Sequence, residues 1–303
     1  MAPTLTPDDD PNVSFRCPPP PWFHYVATSV RQPSPQQAPP PSSSSSPSLD
    51  CCPCRDAAEC AAASSSCPCL ASVRTGLHAI DRDGPDAVVL LVECGGDCKC
   101  GISGGCRPTQ GGLAFRVEVA VSGDKKGRGL FASEPIPKGR FVLEYAGEVV
   151  WLEEAARRLA AYDAARQRWL EGGAAEAAAK EEEEPGGASG HALMTVRVHA
   201  ASSSIAVAVD ATVRGNAARF ANHACGRSAN LGAVLVKGRS SRQEADAAVP
   251  LRVALFSTRA IAAGEELTIC YGDGDEGGDD GLSRRLRCAC GSAECSGWLP
   301  SGG

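Results

Sequence analysis

The sequence has no long run of apolar residues. Its longest apolar stretch lies around Val88–Val92 and is much shorter than the roughly 18 residues that a membrane-spanning helix needs. The first residues, MAPTLTPDDDP, have neither the basic start nor the apolar centre of a secretory signal. We therefore expect a protein that neither spans a membrane nor is exported.

A surplus of basic residues is also missing. The chain has 30 lysines and arginines against 36 acidic residues, which gives a formal net charge of −6. General nucleic-acid binders normally show the opposite balance, so a basic partner is easier to reconcile with this chain. Hydrophobic residues make up 43% and charged residues 22% of the sequence, and these near-average values exclude wholesale disorder.

Cysteine is what the sequence has in excess, with 16 residues in a chain of 303. Dense disulfides are typical of exported proteins, so without an export signal metal binding explains these cysteines better. A disulfide framework is the alternative. The two readings predict opposite results for metal content, because only the first requires zinc.

Nine of the cysteines form a dense block with the spacing C-x-C-x5-C-x6-C-x-C, a gap, and then C-x3-C-x-C-x5-C. Zinc takes four thiolates, so nine cysteines can hold about three zinc ions if three of the sulfurs bridge. The predicted ligands of this cluster are Cys52, Cys54, Cys60, Cys67, Cys69, Cys94, Cys98, Cys100 and Cys106.

A second group, Cys288, Cys290 and Cys295, has the spacing C-x-C-x4-C. Three ligands leave a zinc ion one short, and Cys225 in the segment ARFANHAC is the isolated candidate for the fourth. Both groups are expected to be structural, because neither keeps the open position of a catalytic zinc. The ligand count predicts about four zinc ions per chain.

Composition and local pattern divide the chain into segments. Residues 1–50 hold 13 of the 22 prolines, which predicts a disordered arm. In it, Trp22, Phe23 and Tyr25 form either a docking motif or a loose aromatic cluster. Trp151–Leu170 is the one convincing long helix, and it leads into an acidic insertion that ends near residue 190.

Short apolar segments separated by turn residues predict a mostly-β domain. A further buried strand is expected within AVVLLV, residues 87–92. The other predicted strands are Phe115–Val121, Phe141–Tyr145, Ile205–Val209, Leu231–Val236, Leu251–Phe256 and Leu267–Cys270.

Four further segments narrow the choice of function. They read KGRGLF from Lys126, EYAGE from Glu144, RGNAARFANHAC from Arg214 and GEELTICYG from Gly264. Each alone fits an ordinary turn or strand end. In this order, between the nine-cysteine block and the C-x-C-x4-C tail, they resemble the SET-domain lysine methyltransferases of the suppressor-of-variegation class. The resemblance covers roughly Cys51–Leu299.

The resemblance implies a mostly-β SET-domain fold of small curved sheets with a knot-like active site. It implies a three-zinc pre-SET cluster at residues 51–110 and a SET domain at 113–273, with a helical and acidic insertion at 151–190. An acidic linker at 274–283 and a zinc-bound post-SET tail at 284–300 would follow.

By the same resemblance, the chain is a methyltransferase that uses S-adenosylmethionine. The Tyr271 hydroxyl would point at the reacting centre, and Tyr145 would line the lysine channel. The residues that would contact the cofactor are Lys126, Gly127, Arg128, Gly129, Arg219, Asn222, His223, Trp298 and Leu299.

The class resemblance implies a lysine of the histone H3 tail as substrate, with the ninth-residue lysine as first choice, on free H3 or nucleosomes. It also implies a nuclear, chromatin-associated protein, and we expect no membrane partner and no sequence-specific DNA binding. Two alternatives are a non-histone lysine methyltransferase and a catalytically silent, zinc-stabilised chromatin-binding module.

Three departures from the family pattern bear on these alternatives. Cys270 stands where the family has an aspartate, and Ile269 stands where it has phenylalanine or tyrosine. The loop after Cys225 is two residues longer and lacks the usual proline. The number of methyl groups added is therefore open, and Cys270 is the main reason to test activity.

Overall fold

The computed structural model describes residues 10–17, 23–31, 58, 68–84, 90–94, 106–110, 112–172, 192–200, 203–239, 251–271, 287–293 and 295–299. Within these residues the helices are α1 (Pro68–Asp83), α2 (Gly123–Lys126) and α3 (Leu152–Gly172). The strands are β1 (Val13–Phe15), β2 (His24–Tyr25), β3 (Val30–Arg31), β4 (Leu91–Cys94), β5 (Val117–Val121), β6 (Arg128–Ala132), β7 (Phe141–Glu144), β8 (Gly147–Val150), β9 (Leu193–Ala200), β10 (Ser203–Gly215), β11 (Asn222–His223), β12 (Leu231–Arg239), β13 (Leu251–Ser257) and β14 (Glu266–Ile269). The mostly-β prediction is confirmed.

The larger sheet runs in the order β1-β5-β6-β14-β12-β13-β7, with β11 added beside β14 and β4 beside β12. In β5, Val117 and Val119 are buried while the residues between and after them are more exposed. This alternation is typical of a strand with one face on the core. The short strand β14 lies inside the sheet, where β6 and β12 both pair with it.

The smaller sheet runs in the order β2-β10-β8-β3, with β9 paired to β10. The register between β10 and β8 shifts between Asp210 and Gly215. At this irregularity a Cβ atom on Gly147 would lie 2.6 Å from the Asp210 carbonyl oxygen, so only glycine fits. Strand β10 ends at Gly215, and the chain continues through Asn216 into the 3-10 turn Ala217–Phe220.

One main core cluster joins the two sheets. It contains Val119 and Leu143 from the larger sheet and Val207 and Val209 from the smaller one, all at most 8% exposed. A buried ion network fixes the rim of this core: Arg252 on β13 reaches Glu144 at 3.2 Å and also Glu93 on β4. The network holds β4 against the rest of the larger sheet.

Part of the predicted disordered arm is ordered, which corrects the expectation for residues 10–17 and 23–31. Three short strands in this region pair with β5, β10 and β8. Phe23 and Tyr25 are only 8% and 3% exposed and belong to the main core. A loose aromatic cluster is therefore the wrong interpretation for these two residues, and Trp22 lies outside the described residues.

Helix α1 lies inside the cysteine-dense block and was not predicted from the sequence. Val73 and Ile80, seven residues apart on one helix face, are both fully buried. The predicted strand in AVVLLV starts later than expected, at Leu91. The predicted helix Trp151–Leu170 is confirmed as Leu152–Gly172.

None of the helices in the described residues is long and apolar enough to cross a membrane. The last part of the predicted insertion, residues 173–190, and the predicted acidic linker at 274–283 lie outside the described residues. The boundaries drawn for the pre-SET, SET and post-SET regions stay predictions.

Candidate functional site

The site is built around the end of strand β14. Asn222 and His223 pair in parallel with Thr268 and Ile269, and Leu231 pairs in parallel with Ile269 as well. Because Ile269 pairs with both, β11 and β12 lie on opposite edges of β14. The pairing of β11 brings the segment ARFANHAC next to the tyrosine that follows β14.

Both predicted catalytic tyrosines are held by backbone carbonyls. The Tyr271 hydroxyl donates to the Ala221 carbonyl at 3.0 Å, and the Tyr145 hydroxyl donates to the Ala192 carbonyl at 2.9 Å. Burial raises the pKa of Tyr271 to about 12, and burial together with the nearby Tyr271 raises the pKa of Tyr145. Both hydroxyls are therefore neutral at physiological pH and act as oriented dipoles.

Arg219 is hydrogen-bonded to two backbone carbonyls near the two tyrosines. Its Nε donates to the Ala211 carbonyl at 3.0 Å, and an Nη donates to the Thr212 carbonyl at 3.3 Å. Its guanidinium also lies 4.8 Å from the ring centres of Phe23 and Phe220. Burial lowers the pKa of Arg219 to about 10, so the group still carries its charge at neutral pH.

The segment KGRGLF, which carries Gly127 and Gly129, is connected to Asn222 both directly and through Glu266. The Asn222 amide nitrogen donates to the Arg128 carbonyl at 3.0 Å and to Glu266 Oε1 at 2.8 Å. Ser122 donates to Glu266 Oε1 at 2.5 Å, and Lys126 Nζ lies 2.9 Å from Glu266 Oε2. Burial alone would raise the pKa of Glu266, but these three donors outweigh it and the pKa is lowered.

The two glycines of the loop meet different demands. Gly127 has a φ of 71°, and a Cβ atom built on it would meet nothing within 4 Å. Its open side leaves room for a ligand to approach the backbone. On Gly129, a Cβ atom would lie 2.6 Å from Ser122 Cβ and 2.8 Å from Glu266 Oε1, so tight packing requires glycine there.

His223 connects Tyr271 to the predicted zinc ligand Cys225. The Tyr271 backbone N–H donates to His223 Nδ1 at 3.1 Å, which leaves the proton of the neutral ring on Nε2. Nε2 lies 3.2 Å from Cys225 Sγ, and burial lowers the pKa of His223. The ring is therefore a neutral spacer between two parts of the site.

The structure brings the four predicted tail cysteines together. The Sγ atoms of Cys225, Cys288, Cys290 and Cys295 all lie within 4.8 Å of one another. Cys225 Sγ is 3.7 Å from Cys288 Sγ and 3.9 Å from Cys295 Sγ. Zinc–sulfur bonds of about 2.3 Å in a tetrahedron place sulfurs about 3.8 Å apart, so this donor set fits a structural zinc ion.

The tail is also held by contacts beside these cysteines. Ser228 Oγ lies 2.6 Å from Ser292 Oγ, and the Cys288 N–H donates to the Gly297 carbonyl at 3.0 Å. Trp298, 38% exposed, lies against Arg287 with its ring centre 4.4 Å from the guanidinium carbon. Leu299 follows and is partly buried, so both predicted cofactor contacts lie on a tail anchored beside Cys225.

Three of the nine predicted ligands of the pre-SET cluster are among the described residues. Cys94 and Cys106 are fully buried, and the Cys94 N–H donates to the Cys106 carbonyl at 3.1 Å. Cys69 lies in the first turn of α1. The other predicted ligands lie outside the described residues: Cys52, Cys54, Cys60, Cys67, Cys98 and Cys100.

Two residues of this site, Glu266 and Asn230, have no role predicted from the sequence. The Asn230 side chain accepts from the Thr268 N–H at 2.8 Å and donates to the Glu266 carbonyl at 2.8 Å, which fixes β14 from its other edge. The longer loop after Cys225 contains the short 3-10 turn Gly226–Ser228. Glu266 belongs to the quoted GEELT segment, and its place opposite a tightly packed glycine is visible only in the fold.

Comparisons with known proteins agree with this geometry. A family profile described as the SET domain matches residues 127–272. The histone-lysine N-methyltransferase SUVR3 of Arabidopsis thaliana is 32% identical over 259 residues, 78% of this chain and 65% of SUVR3. The probable histone-lysine N-methyltransferase set-23 of Caenorhabditis briggsae is 30% identical over 217 residues, 71% of this chain and 74% of that protein.

Solved structures show the same fold. The methyltransferase domain of human SETMAR superposes with a TM-score of 0.59 at 26% identity, covering 95% of this chain and 93% of that one. KRYPTONITE, in complex with mCHH DNA, an H3(1-15) peptide and SAH, superposes with a TM-score of 0.52 at 25% identity, covering 95% of this chain and 50% of that one. The chain thus spans only part of several of these proteins.

Proposed function

Because this chain belongs to the SET-domain family, we propose that it is a protein-lysine N-methyltransferase that uses S-adenosylmethionine. The proposed substrate is a lysine of histone H3, with the ninth-residue lysine as first choice, and the proposed location is chromatin in the nucleus. The named relatives are histone-lysine N-methyltransferases, and KRYPTONITE was solved with an H3 peptide and SAH.

The observation that carries the proposal is a pair of buried tyrosine hydroxyls, one on Tyr271 just after β14 and one on Tyr145 just after β7. Tyr271 and Tyr145 each donate to a backbone carbonyl, and the nearby Tyr271 adds to the burial that raises the pKa of Tyr145. Methyl transfer to an amine needs orientation more than a strong base. Neutral hydroxyls orient an amine without adding a charge.

The residues around Gly127 fit the proposed cofactor. The backbone at this glycine is open on one side, since a Cβ atom there would meet nothing within 4 Å, and Asn222 is fixed beside it through the Arg128 carbonyl. When bound, the cofactor supplies the methyl group and the sulfur leaving group. In this proposal, Trp298 and Leu299 cover it from the tail, and the residues that bind it are Lys126, Gly127, Arg128, Gly129, Asn222 and His223. Arg219, the remaining predicted contact, is held by the Ala211 and Thr212 carbonyls and is assigned to the surroundings of the tyrosines.

The protein's own task is to present a neutral lysine in line with the methyl group. Free lysine has a pKa of about 10.4 and is almost entirely protonated at neutral pH. A buried channel lowers the pKa of an entering lysine amine, and a nearby positive charge lowers it further. Tyr145, Tyr271 and the charged Arg219 supply such surroundings, and correct alignment supplies on the order of 7–11 kcal/mol of the barrier reduction.

The test is a methyl-transfer assay with the full, zinc-loaded chain and labelled S-adenosylmethionine. Substrates are recombinant nucleosomes, free H3 and H3 whose ninth-residue lysine is replaced by arginine. We expect transfer to the first two and loss of most of the signal on the third. Transfer to non-histone proteins alone would contradict the histone assignment.

Binding of the cofactor gives an independent check. Calorimetry should detect S-adenosylmethionine binding to wild-type protein and weaker binding to Gly127→Val, because a side chain would enter the open space at this backbone and valine is strained at a φ of 71°. Absence of binding to the zinc-loaded wild type would instead favour a silent chromatin-binding module.

A further inference from the structure

The ordered part of the N-terminal arm reaches the active site through one aromatic residue. Strand β2 pairs in parallel with the end of β10, with Tyr25 opposite Gly215, and the Val26 N–H donates to the Gly215 carbonyl at 2.8 Å. This pairing places Phe23, just before β2, beside the 3-10 turn that carries Arg219. Phe23 is only 8% exposed.

The Arg219 guanidinium lies against the rings of both Phe23 and Phe220. The guanidinium carbon lies 4.8 Å from each ring centre, and the two rings meet edge to face at 5.8 Å. Cation–π contacts of this kind are stronger when the site is desolvated. Phe220 belongs to the same turn as Arg219, whereas Phe23 comes from a separate part of the chain about two hundred residues earlier.

Arg219 is in turn connected to both tyrosine hydroxyls. Its Nε holds the Ala211 carbonyl, the Ala211 N–H donates to the Ala192 carbonyl at 2.9 Å, and that same carbonyl accepts the Tyr145 hydroxyl. On the other side, Arg219 sits in the turn that ends at Ala221, whose carbonyl accepts the Tyr271 hydroxyl.

From these contacts we infer that Phe23 is a positioning residue for the proposed methyl transfer: it holds Arg219 in the place that orients both tyrosines and keeps a positive charge beside the lysine channel. The inference rests on the proposed function for its chemistry. The arm is then part of the active site's support, beyond its role in the core.

The charge of Arg219 has a definite effect on its surroundings. Burial raises the pKa of Tyr271 and Tyr145, and Arg219 opposes this shift at both. The other titratable groups that act on Arg219 or these tyrosines are Arg128, Asp210 and Glu266, and the His223 ring packs against Tyr271 at 5.3 Å. A fixed cation here favours the neutral form of an entering lysine amine.

Phe15 offers a matched control within the same arm. Its ring packs edge to face on Phe220 at 6.2 Å and borders the same core cluster. Phe23→Leu and Phe15→Leu each remove one ring, but only the first removes a ring that covers the Arg219 guanidinium. Both variants are expected to lower the melting temperature of the full chain.

The experiment measures kcat, KM and the pH profile of methyl transfer to an H3 tail peptide for wild type and both variants. We expect Phe23→Leu to lower kcat about fivefold and to move the acidic limb of the kcat profile about half a pH unit upward. Phe15→Leu should keep the wild-type profile and a kcat within about twofold. Equal kcat values and equal profiles for the two variants would overturn the inference.

A second measurement separates this inference from the proposed function. In protein labelled with 15N-arginine, the Arg219 Nε–H signal, assigned with Arg219→Lys, should be protected from solvent exchange in wild type and Phe15→Leu and lose protection in Phe23→Leu. If wild type transfers no methyl group to any substrate, the proposed function fails while this signal still decides whether Phe23 holds Arg219. An unchanged signal in Phe23→Leu would contradict the inference.

Discussion

At the scale of single residues, the site depends on closely packed glycines and on carboxylates that are held by several hydrogen-bond donors. Gly129 faces Ser122 and Glu266 so closely that a Cβ atom would overlap both. Overpacking of this kind costs about 1–3 kcal/mol. We therefore predict that Gly129→Ala lowers the free energy of unfolding by that amount in a denaturant titration, and an unchanged value would mean that the loop shifts freely.

Glu266 gives a pH-dependent prediction at the same scale. The pKa of Glu266 is lowered from its ordinary value of 4.5, so its contribution to stability is complete above pH 4.5 and is lost as the pH falls through the lowered pKa. Glu266→Gln should cost about 1–3 kcal/mol of unfolding free energy at pH 7. The difference from wild type should shrink in acid titrations below about pH 4.5.

Glu118→Gln is the matched control for this variant. Glu118 pairs with Arg16, whose side chain is 75% exposed, and exposed ion pairs contribute little. Its substitution should change stability by about 0.5 kcal/mol or less. A loss as large as that of Glu266→Gln would show that charge removal in general, and not the Ser122–Asn222–Lys126 network, sets the effect.

At the scale of secondary-structure elements, the sequence predicts what repeats locally and misses what depends on partners. Strands such as β5 and β13 are anticipated because apolar runs stand between turn residues. The strands of the arm are not, because two- or three-residue strands in a proline-rich region form only against an existing sheet. Helix α1 is not anticipated either, because it lies in a cysteine-dense part of the sequence.

The same holds for the site. The motifs predict which residues it contains, and the count of zinc ligands suggests that the isolated Cys225 completes the tail cysteines, which the structure brings together. The connections made by Glu266, Asn230 and Phe23 were not predictable, since each joins positions that only the fold brings together.

Helix α3 is anchored by one arginine on its inner face. Arg158 lies 2.7 Å from Asp210 and 2.8 Å from Glu148, and Asp210 is only 2% exposed. Breaking a buried pair by removing one partner costs about 3–5 kcal/mol. We predict that Arg158→Met lowers the unfolding free energy by about 3 kcal/mol, as measured in urea.

The neighbouring Arg157 provides the comparison. Its side chain is 70% exposed and pairs only with Glu154 among its salt bridges in the described residues. Arg157→Met should cost about 0.5 kcal/mol or less. If the two substitutions cost the same, Arg158 does not anchor the helix.

At the scale of the whole molecule, Cys225 joins the tail to the fold. It lies two residues after His223, so a zinc ion on the four cysteines would fix both the tail and the segment paired with β14. Cys288→Ser should lower the zinc content by about one ion per chain, measured by mass spectrometry of metals. The wild-type Cys17 thiol faces the Val119 carbonyl, so Cys17→Ser should leave the zinc content unchanged.

Retention of all zinc by Cys288→Ser would contradict the tail site. The total content matters as well: the cysteine spacing predicts about four zinc ions per chain, and a value near zero with blocked thiols would favour disulfides.

The most direct test of the account is the rate of methyl transfer to histone H3 by Tyr271→Phe, measured beside wild type and Tyr162→Phe. Both tyrosine hydroxyls donate a hydrogen bond inside the protein, Tyr271 to Ala221 and Tyr162 to Asp210, but only Tyr271 lies at the end of β14. We predict a loss of about 10- to 100-fold for Tyr271→Phe and a rate within about twofold of wild type for Tyr162→Phe. A Tyr271→Phe enzyme as fast as wild type would contradict the account.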